Sequence, residues 1–358
     1  MRVMGVDLTA GLDPGFETFL AARPADARMR DSATLWVMDE SGRLAFPRIT
    51  LDAIGDDWDH PWIQLNGVTR DGGAFRVWER LPGLSRPGPQ GAVTVRGAGP
   101  LAFHCLEPFR RWSLTFDGTA RRSTTTRQMA GDAGGDEAPL AFHFDAEMVA
   151  PPWLMGGMTA EAANAMAGAG GALMGGVRYE QLCRVSGWAR FAGEERRVAG
   201  TGMRVRRQGV RNMSGAPGHC QHSALFPSGR AFGGNVFWPA ADGRQAFNEG
   251  FVVTREGERL PARLAEAPWM TRLEGPGDDL SLVLETPAGE VRVAGQSLLK
   301  TFDHHHFEMA DTSILEQGVA RYIWDGEETI GLFERCTLRD RLANLQDVAP
   351  APGAGQAR

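Results

Sequence analysis

Apolar residues along this chain fall in short runs or in alternation with polar ones, and turn-forming residues interrupt them at roughly 8–12-residue spacing. Ala33–Met38 runs into Asp39-Glu-Ser-Gly42, and Ala74–Glu79 alternates and stops before Pro82-Gly83. Leu101–Cys105, Trp112–Phe116, Leu140–Asp145, Tyr179–Val185, His222–Phe226 and Gly234–Trp238 repeat the pattern, as do Gly250–Thr254, Leu280–Glu285 and Arg321–Trp324. A period of two sends successive side chains to opposite faces, so each run predicts a strand. Pro227-Ser-Gly-Arg230 and Ala241-Asp-Gly-Arg244 predict hairpin turns. Helical periodicity is confined to 13–24 and 159–167. The expected class is all-β.

Gly156–Gly176 breaks the rhythm, being mostly Gly, Ala and Met. It reads as a linker between two β domains, or as a lid whose Met155, Met158, Met166 and Met174 shelter an apolar mouth. A length of 358 residues fits two domains. The expected division is 1–175, 176–345 and a disordered tail, 346–358.

Composition narrows the chemistry. No run approaches the ~20 apolar residues of a membrane-spanning helix, and the first residues lack the apolar core of a signal peptide. A cytoplasmic protein with no membrane insertion is expected. The net charge of −6 argues against nucleic acid as a partner. Lys300 is the single lysine, in surroundings that suggest no Schiff base. Cys105, Cys183, Cys220 and Cys336 lack metal-site spacing and are expected to be reduced. No phosphate-binding loop, dinucleotide fingerprint or Ser nucleophile elbow occurs. No cofactor is expected, and a hydrophobic small molecule is the expected partner of a monomer or homodimer.

Titratable side chains gather in the later half. On a strand, His222, Ala224 and Phe226 share a face, which desolvates the imidazole and favours its neutral, proton-accepting form. His219 lies nearby after a glycine-rich turn. Asp303-His304-His305-His306-Phe307-Glu308 is the densest cluster; Asp303 orienting His304 would make an acid–base pair, and His304 with His306 has spacing a metal could use, though the acid–base reading is preferred. Glu249, between aromatics, is a general acid or base if it points inward and a turn residue if it does not. Tyr179 could donate to a developing oxyanion. Arg204 and Arg206 fall on one side of a strand and Arg207 on the other. Arg206, Arg211 and Asn212 are candidate substrate anchors, and one arginine is expected to be pinned by a buried carboxylate such as Glu180. Some of the ten tryptophans, Trp238 among them, should line an apolar pocket, with His306 beside it.

The order of several motifs carries a resemblance. Gly99-Pro-Leu-Ala-Phe-His-Cys-Leu-Glu107-Pro-Phe-Arg-Arg-Trp112 is followed by Phe116-Asp-Gly118. Tyr179-Glu180-Gln181, Arg184-Val-Ser-Gly187, Gly200-Thr-Gly202-Met-Arg204 with Gly209-Val-Arg211, Leu225-Phe-Pro-Ser-Gly229-Arg230, Trp324-Asp-Gly326 and Glu334-Arg335 come after it. Over about residues 30–340 this resembles the tandem lipocalin-like superfamily of carotenoid 1,2-hydratases, AttH-like proteins, fungal kievitone hydratase and lipocalin-type Diels–Alderases. The resemblance implies two lipocalin-like antiparallel barrels or sandwiches packed side by side, and metal-free acid–base catalysis on apolar substrates. Relatives often carry Asp-His where this chain has Val205-Arg206, a pair that cannot shuttle protons at neutral pH. The expected activity is a cofactor-independent lyase or hydratase acting on an aromatic or isoprenoid molecule, using His222, Asp303, His304, Glu249 and Tyr179. The alternatives are a non-catalytic carrier of a lipophilic ligand, and an isomerase or cyclase.

Overall fold

Strand β1 (Met29–Asp39) sends Ala33, Leu35 and Val37 to one side and Trp36 and Met38 to the other, and the two sets join different apolar clusters. A strand with two apolar faces has to be covered on both sides. In the computed structural model, which describes residues 7–304 and 313–348 apart from 133, 214, 240–242 and 244, the inner face lines a barrel and the outer face meets a second barrel.

The first β body contains β1, β2 (Leu44–Ile54), β3 (Trp62–Thr69), β4 (Gly73–Arg80), β5 (Gly83–Pro87), β6 (Val93–Ala98), β7 (Leu101–Glu107), β8 (Arg111–Thr124), β9 (Glu137–Met148), β10 (Trp153–Leu154), β11 (Val177–Phe191) and β12 (Glu194–Val210). They form one twelve-stranded sheet. Strand β9 pairs with both β8 and β11, so the pairings run in a ring: β11, β12, β1, β2, β3, β4, β8, β9 and back to β11. The β1–β2 turn uses Gly42 at φ +62°, a conformation glycine adopts without a Cβ clash. Inside the ring Phe142 stacks on Phe144 at 4.8 Å, and Phe46 tilts against both. Burying each such ring contributes about 2–3 kcal/mol.

The second body is a closed up-and-down barrel of β13 (Gly218–Leu225), β14 (Ala231–Phe237), β15 (Asn248–Val253), β16 (Arg259–Glu266), β17 (Leu282–Thr286), β18 (Gly289–Asp303), β19 (Ser313–Trp324) and β20 (Glu327–Leu338). Closure leaves no unpaired edge to aggregate. The turn at Pro227–Arg230 joins β13 to β14, with Phe226 N–H donating to Arg230 O at 2.8 Å. Three of the four residues of the turn at Ala241–Arg244 lie outside the described residues.

Three expectations about organisation change. The division after residue 175 falls between strands of one sheet, because β11 and β12 complete the first ring; the first body therefore runs to Val210. Residues 13–24 contain only a 3₁₀ turn, Pro14–Glu17, capped by Asp13. In the tail, Val348 packs against a small cluster that includes Met270, Phe302 and Leu342, while 349–358 lie outside the described residues.

After the short α1 (Thr125–Met129), the Gly/Ala/Met segment forms α2 (Ala160–Ala167), as the periodicity over 159–167 predicts, and a further helix, α3 (Ala169–Met174). Met155 and Met174 are buried in the cluster between the barrels, and Met158 and Met166 pack against it. The segment is thus a packed cover for the joint. No helix among the described residues is long and apolar enough to cross a membrane.

Candidate functional site

Alternation places polar side chains on the facing outer surfaces of the two barrels. On β13, Cys220 and Ala224 join the cluster inside the second barrel, while His219 and Gln221 take the opposite parity, toward the first. Their counterparts across the joint are Arg48 and Asp52 on β2, Arg30 on β1 and Arg178 on β11.

Glu334, on β20, is the hub. Its Oε1 accepts from His219 Nε2 at 2.7 Å, and its Oε2 meets Arg48 Nη2 at 2.9 Å and also accepts from Gln317. A carboxylate can only accept, so Nε2 of His219 carries the proton. His219 is buried, and its Nδ1 makes no hydrogen bond. Burial works to raise the Glu334 pKa, but Arg48 and His219 outweigh it and hold the carboxyl well below the usual range. Glu180, on β11, behaves in the opposite way. Burial pushes it up against the pull of Arg178, and the charge of Glu334 adds to the rise. Gln221 donates to Glu180 at 2.7 Å and stands opposite Glu334 in the β13–β20 register. Two buried carboxyls of opposed acidity therefore flank one glutamine.

Gln221 and Glu334 border a cavity of about 50 Å³, also lined by Trp36, Arg48, Arg178, Arg207 and Arg211 among others, with His219 and Glu180 behind them as their hydrogen-bond partners. A water needs roughly 10–15 Å³ by this measure, so the space holds a few waters. Helix α3 closes one side: Leu173 O accepts from Arg211 Nε at 2.8 Å and Met174 O from Arg207 Nε at 2.9 Å. Gly175 allows this approach. It caps α3 at φ +80°, and a Cβ there would lie 2.8 Å from the Cβ of Arg211. A larger open groove, about 610 Å³, crosses the first body near Arg111, Glu147 and Arg184. Those three side chains are exposed, so their charges are screened by water, and the interbarrel cavity is the better chemical candidate.

The residues singled out from sequence do not converge on one site. His222 points into the second barrel as its alternation predicts. Its Nδ1 lies 2.7 Å from the Tyr322 hydroxyl and its Nε2 3.2 Å from Cys220 Sγ, and burial pushes its pKa down to about 3. Glu249 is buried in β15 and is not a turn residue, but it shares the face of Phe251, outside the second barrel and toward the 153–159 segment. It accepts from Trp153 Nε1 at 2.9 Å and from the backbone of Gly156, Met158 and Thr159 at 2.7, 2.8 and 3.2 Å, so its lone pairs are committed to holding the loop before α2. Asp303 is the last residue of β18 and His304 lies in the bend after it, and the two turn to different partners. Asp303 meets Arg76 at 3.1 Å, while His304 Nε2 donates to Met129 O at 3.0 Å. His306 lies outside the described residues.

Tyr179 and Arg206 lie inside the first barrel. Arg206 is pinned by a buried carboxylate, as expected of one arginine in this stretch, and that carboxylate is Asp31 at 3.0 Å, while Tyr179 donates to Glu17. Glu180 holds Arg178 instead. Trp238 stacks on Trp269 at 4.2 Å, and Asn212 is exposed, its backbone N–H on Ala172 O. Of the candidates, His219 and Arg211 belong to the joint, and Asp303 borders a smaller recess that shares Arg48 with the cavity. The expected tryptophan-lined apolar pocket is replaced by a charged cavity with one tryptophan, Trp36, in its wall. Sequence reasoning missed Arg30, Arg48, Arg178 and Glu334 as site residues. Glu334 sits in a quoted motif, whereas Arg48 follows a β2 irregularity that the alternation does not reveal.

Comparison with known proteins agrees with this architecture. Residues 20–339 match the model of DUF7064, a domain of unknown function, and the chain belongs to that family. No curated protein sequence matches. A solved structure of a putative AttH from Nitrosomonas europaea is similar at TM-score 0.54 and 14% identity, covering 87% of this chain and 93% of that one. CghA with Sch210972 is similar at TM-score 0.55 and 10% identity, over 90% of this chain and 95% of that one. Kievitone hydratase from Nectria haematococca aligns at TM-score 0.42 and 9% identity, over 88% of this chain and 91% of that one. The all-β, lipocalin-like fold implied by the motifs is the fold observed.

Proposed function

We propose that this DUF7064 protein is a cofactor-independent acid–base enzyme of the lyase or hydratase type, and that its site is the joint between the barrels. The single observation that carries the reading is the His219–Glu334 pair, buried beside a cavity lined by five arginines. Structural ion pairs need no surplus of cations, whereas among the described residues the five arginines of that lining face three carboxylates, Asp52 and Glu334 in the lining and Glu180 paired with Arg178. The surplus favours a substrate bearing an anionic oxygen, a carboxylate or a phenolate. This refines the hydrophobic, arginine-anchored substrate expected from sequence, and the apolar remainder of the molecule would lie toward Trp36 and Val205.

In this reading Glu334 holds Nε2–H of His219, which leaves Nδ1 to take a proton from the substrate or return one. Glu334 stabilises the imidazolium that forms. The arginines hold the anionic oxygen and stabilise charge that develops through conjugation. Drug-sized ligands occupy roughly 300–1,000 Å³, so binding requires α3 to withdraw from Arg207 and Arg211.

The test is incubation with α,β-unsaturated aryl carboxylates and vinylphenols, with product mass read by spectrometry. Gain or loss of one water in the wild type, abolished in His219→Asn with probe binding retained, supports the reading. Turnover unaffected by His219→Asn refutes the role of the histidine.

A further inference from the structure

The inner end of the first barrel carries a second constellation that the proposed chemistry does not use. Glu17, in the 3₁₀ turn ahead of β1, is fully buried. Its Oε2 accepts from Trp112 Nε1 at 2.9 Å and from the backbone N–H of Phe109 at 2.8 Å. Its Oε1 accepts from the Tyr179 hydroxyl and lies 2.8 Å from Nη1 of Arg204. Every one of these donors belongs to the barrel or its β7–β8 turn, and the segment that carries Glu17 supplies none. The segment makes one isolated backbone bridge to a strand, Phe19 with Val93, and is otherwise held by bonds that involve side chains, among them Leu20 N–H to Asp31 and Arg206 to the Phe16 and Thr18 carbonyls.

Two features distinguish this from an ordinary buried ion pair. The Arg204 contact lies off the hydrogen-bonding direction, and Nε of Arg204 has no partner although the residue is 1% exposed. A buried guanidinium left short of hydrogen bonds costs free energy that a better-placed carboxylate would recover. Phe109 also holds φ +57°, an uncommon conformation for a bulky residue, and its N–H is aimed at the carboxylate. Beside Glu17, Phe19 places its ring edge-on to Trp112 at 5.8 Å and under Arg206. The arm thus presents a carboxylate and a neighbouring aromatic ring to a barrel interior.

We propose that this end of the first barrel is a binding site for an apolar monocarboxylic acid, and that Glu17 and Phe19 occupy it in cis as a tethered pseudo-ligand. A ligand acid displaces the arm, takes the Arg204, Tyr179, Trp112 and Phe109 donors, and puts its apolar part where Phe19 lies. When the arm leaves, Arg204 keeps its bond to Gln181 and Arg206 its pair with Asp31 and its bond to Ser32 O, while the donors of Tyr179, Arg206 and Gln208 that now meet the Phe16 and Thr18 carbonyls turn to the ligand or to water. This site is separate from the joint and does not depend on the function proposed there.

The probe is 4-phenylbutyrate, titrated calorimetrically into the full chain, with 4-phenylbutanol as the uncharged control. Removal of the competitor in Glu17→Gly is expected to tighten the acid at least tenfold over wild type, with the alcohol binding neither protein. Adding Arg204→Gln to that variant is expected to abolish the gain. Equal affinity in wild type and Glu17→Gly, equal binding of acid and alcohol, or indifference to Arg204→Gln overturns the proposal. If Glu17→Gly does not fold alone, it is refolded with each compound. A cooperative melt restored by the acid and not by the alcohol supports the proposal, and no restoration by either overturns it.

Discussion

Arg48 on β2 and Glu334 on β20 join the two barrels through an ion pair at 2.9 Å, with side chains 19% and 8% exposed. Removing either partner strands a largely buried charge. Glu334→Gln is expected to cost about 3 kcal/mol, in the range for broken buried pairs. The Arg48→Met/Glu334→Gln double variant should recover part of that loss. Urea unfolding of wild type and the two variants measures both quantities. The sign with pH follows from the depressed Glu334 pKa. Its contribution is present above the unfolded glutamate pKa of about 4.3 and is lost as pH falls through the folded value. Wild type should therefore lose more stability in acid than Glu334→Gln.

Arg207 and Arg211 are half-buried and reach the cavity with their Nε atoms on α3 carbonyls. Each Arg→Gln change is expected to alter stability by less than about 1 kcal/mol. The double change should weaken an aryl carboxylate at the joint by at least about tenfold, the equivalent of 1.4 kcal/mol. Calorimetric titration beside a thermal melt separates the two effects. A large loss of stability with unchanged binding would place these arginines in the fold and outside the site.

Glu249 tests the difference between a buried carboxylate that reacts and one that braces. Its four acceptor contacts hold the loop leading into α2. Glu249→Gln puts an NH₂ against N–H donors and should cost about 2–3 kcal/mol. Amide exchange across 155–175 should rise more than elsewhere. Exchange unchanged in that segment would contradict the bracing role.

His222 is neutral near pH 7 because burial holds its pKa down to about 3. The unfolded chain takes up a proton near pH 6.5 that the folded chain refuses, so this histidine lowers stability as pH falls from about 6.5 toward 3. His222→Gln should flatten that part of the stability profile while binding at the joint is kept. Melts between pH 7.5 and 4.5 provide the check. A loss of binding would move the site into the second barrel.

Much of the fold was legible in the alternation. Ala33–Met38 and Ala74–Glu79 lie in strands as read, β13 covers His222–Leu225 and ends one residue before Phe226, and the fold the motif order implied is the fold observed. The domain division was misread because β11 and β12 return to β1 and β9 across the chain, a long-range pairing that local periodicity does not carry. Parity correctly put Arg204 and Arg206 on one side and Arg207 on the other. It could not say that the inward pair would meet Glu17 and Asp31. The site itself was legible only in fragments. His219 and Arg211 were among the candidates, but Glu334, the partner of His219, lies 115 residues further along the chain, and Arg48 lies in the other barrel. An interface between two bodies draws residues from strands whose inner faces alone are dictated by the core.

The central claim is that the joint between the barrels binds an anionic small molecule. Titration of 4-hydroxycinnamate into wild type, Arg48→Met/Arg211→Gln and Arg204→Gln, followed by heat, tests it most directly. The account predicts saturable one-to-one binding in wild type and in Arg204→Gln, weakened at least tenfold by the Arg48/Arg211 pair of changes. No saturable binding in wild type, or binding that ignores the joint and responds to Arg204→Gln alone, would contradict it.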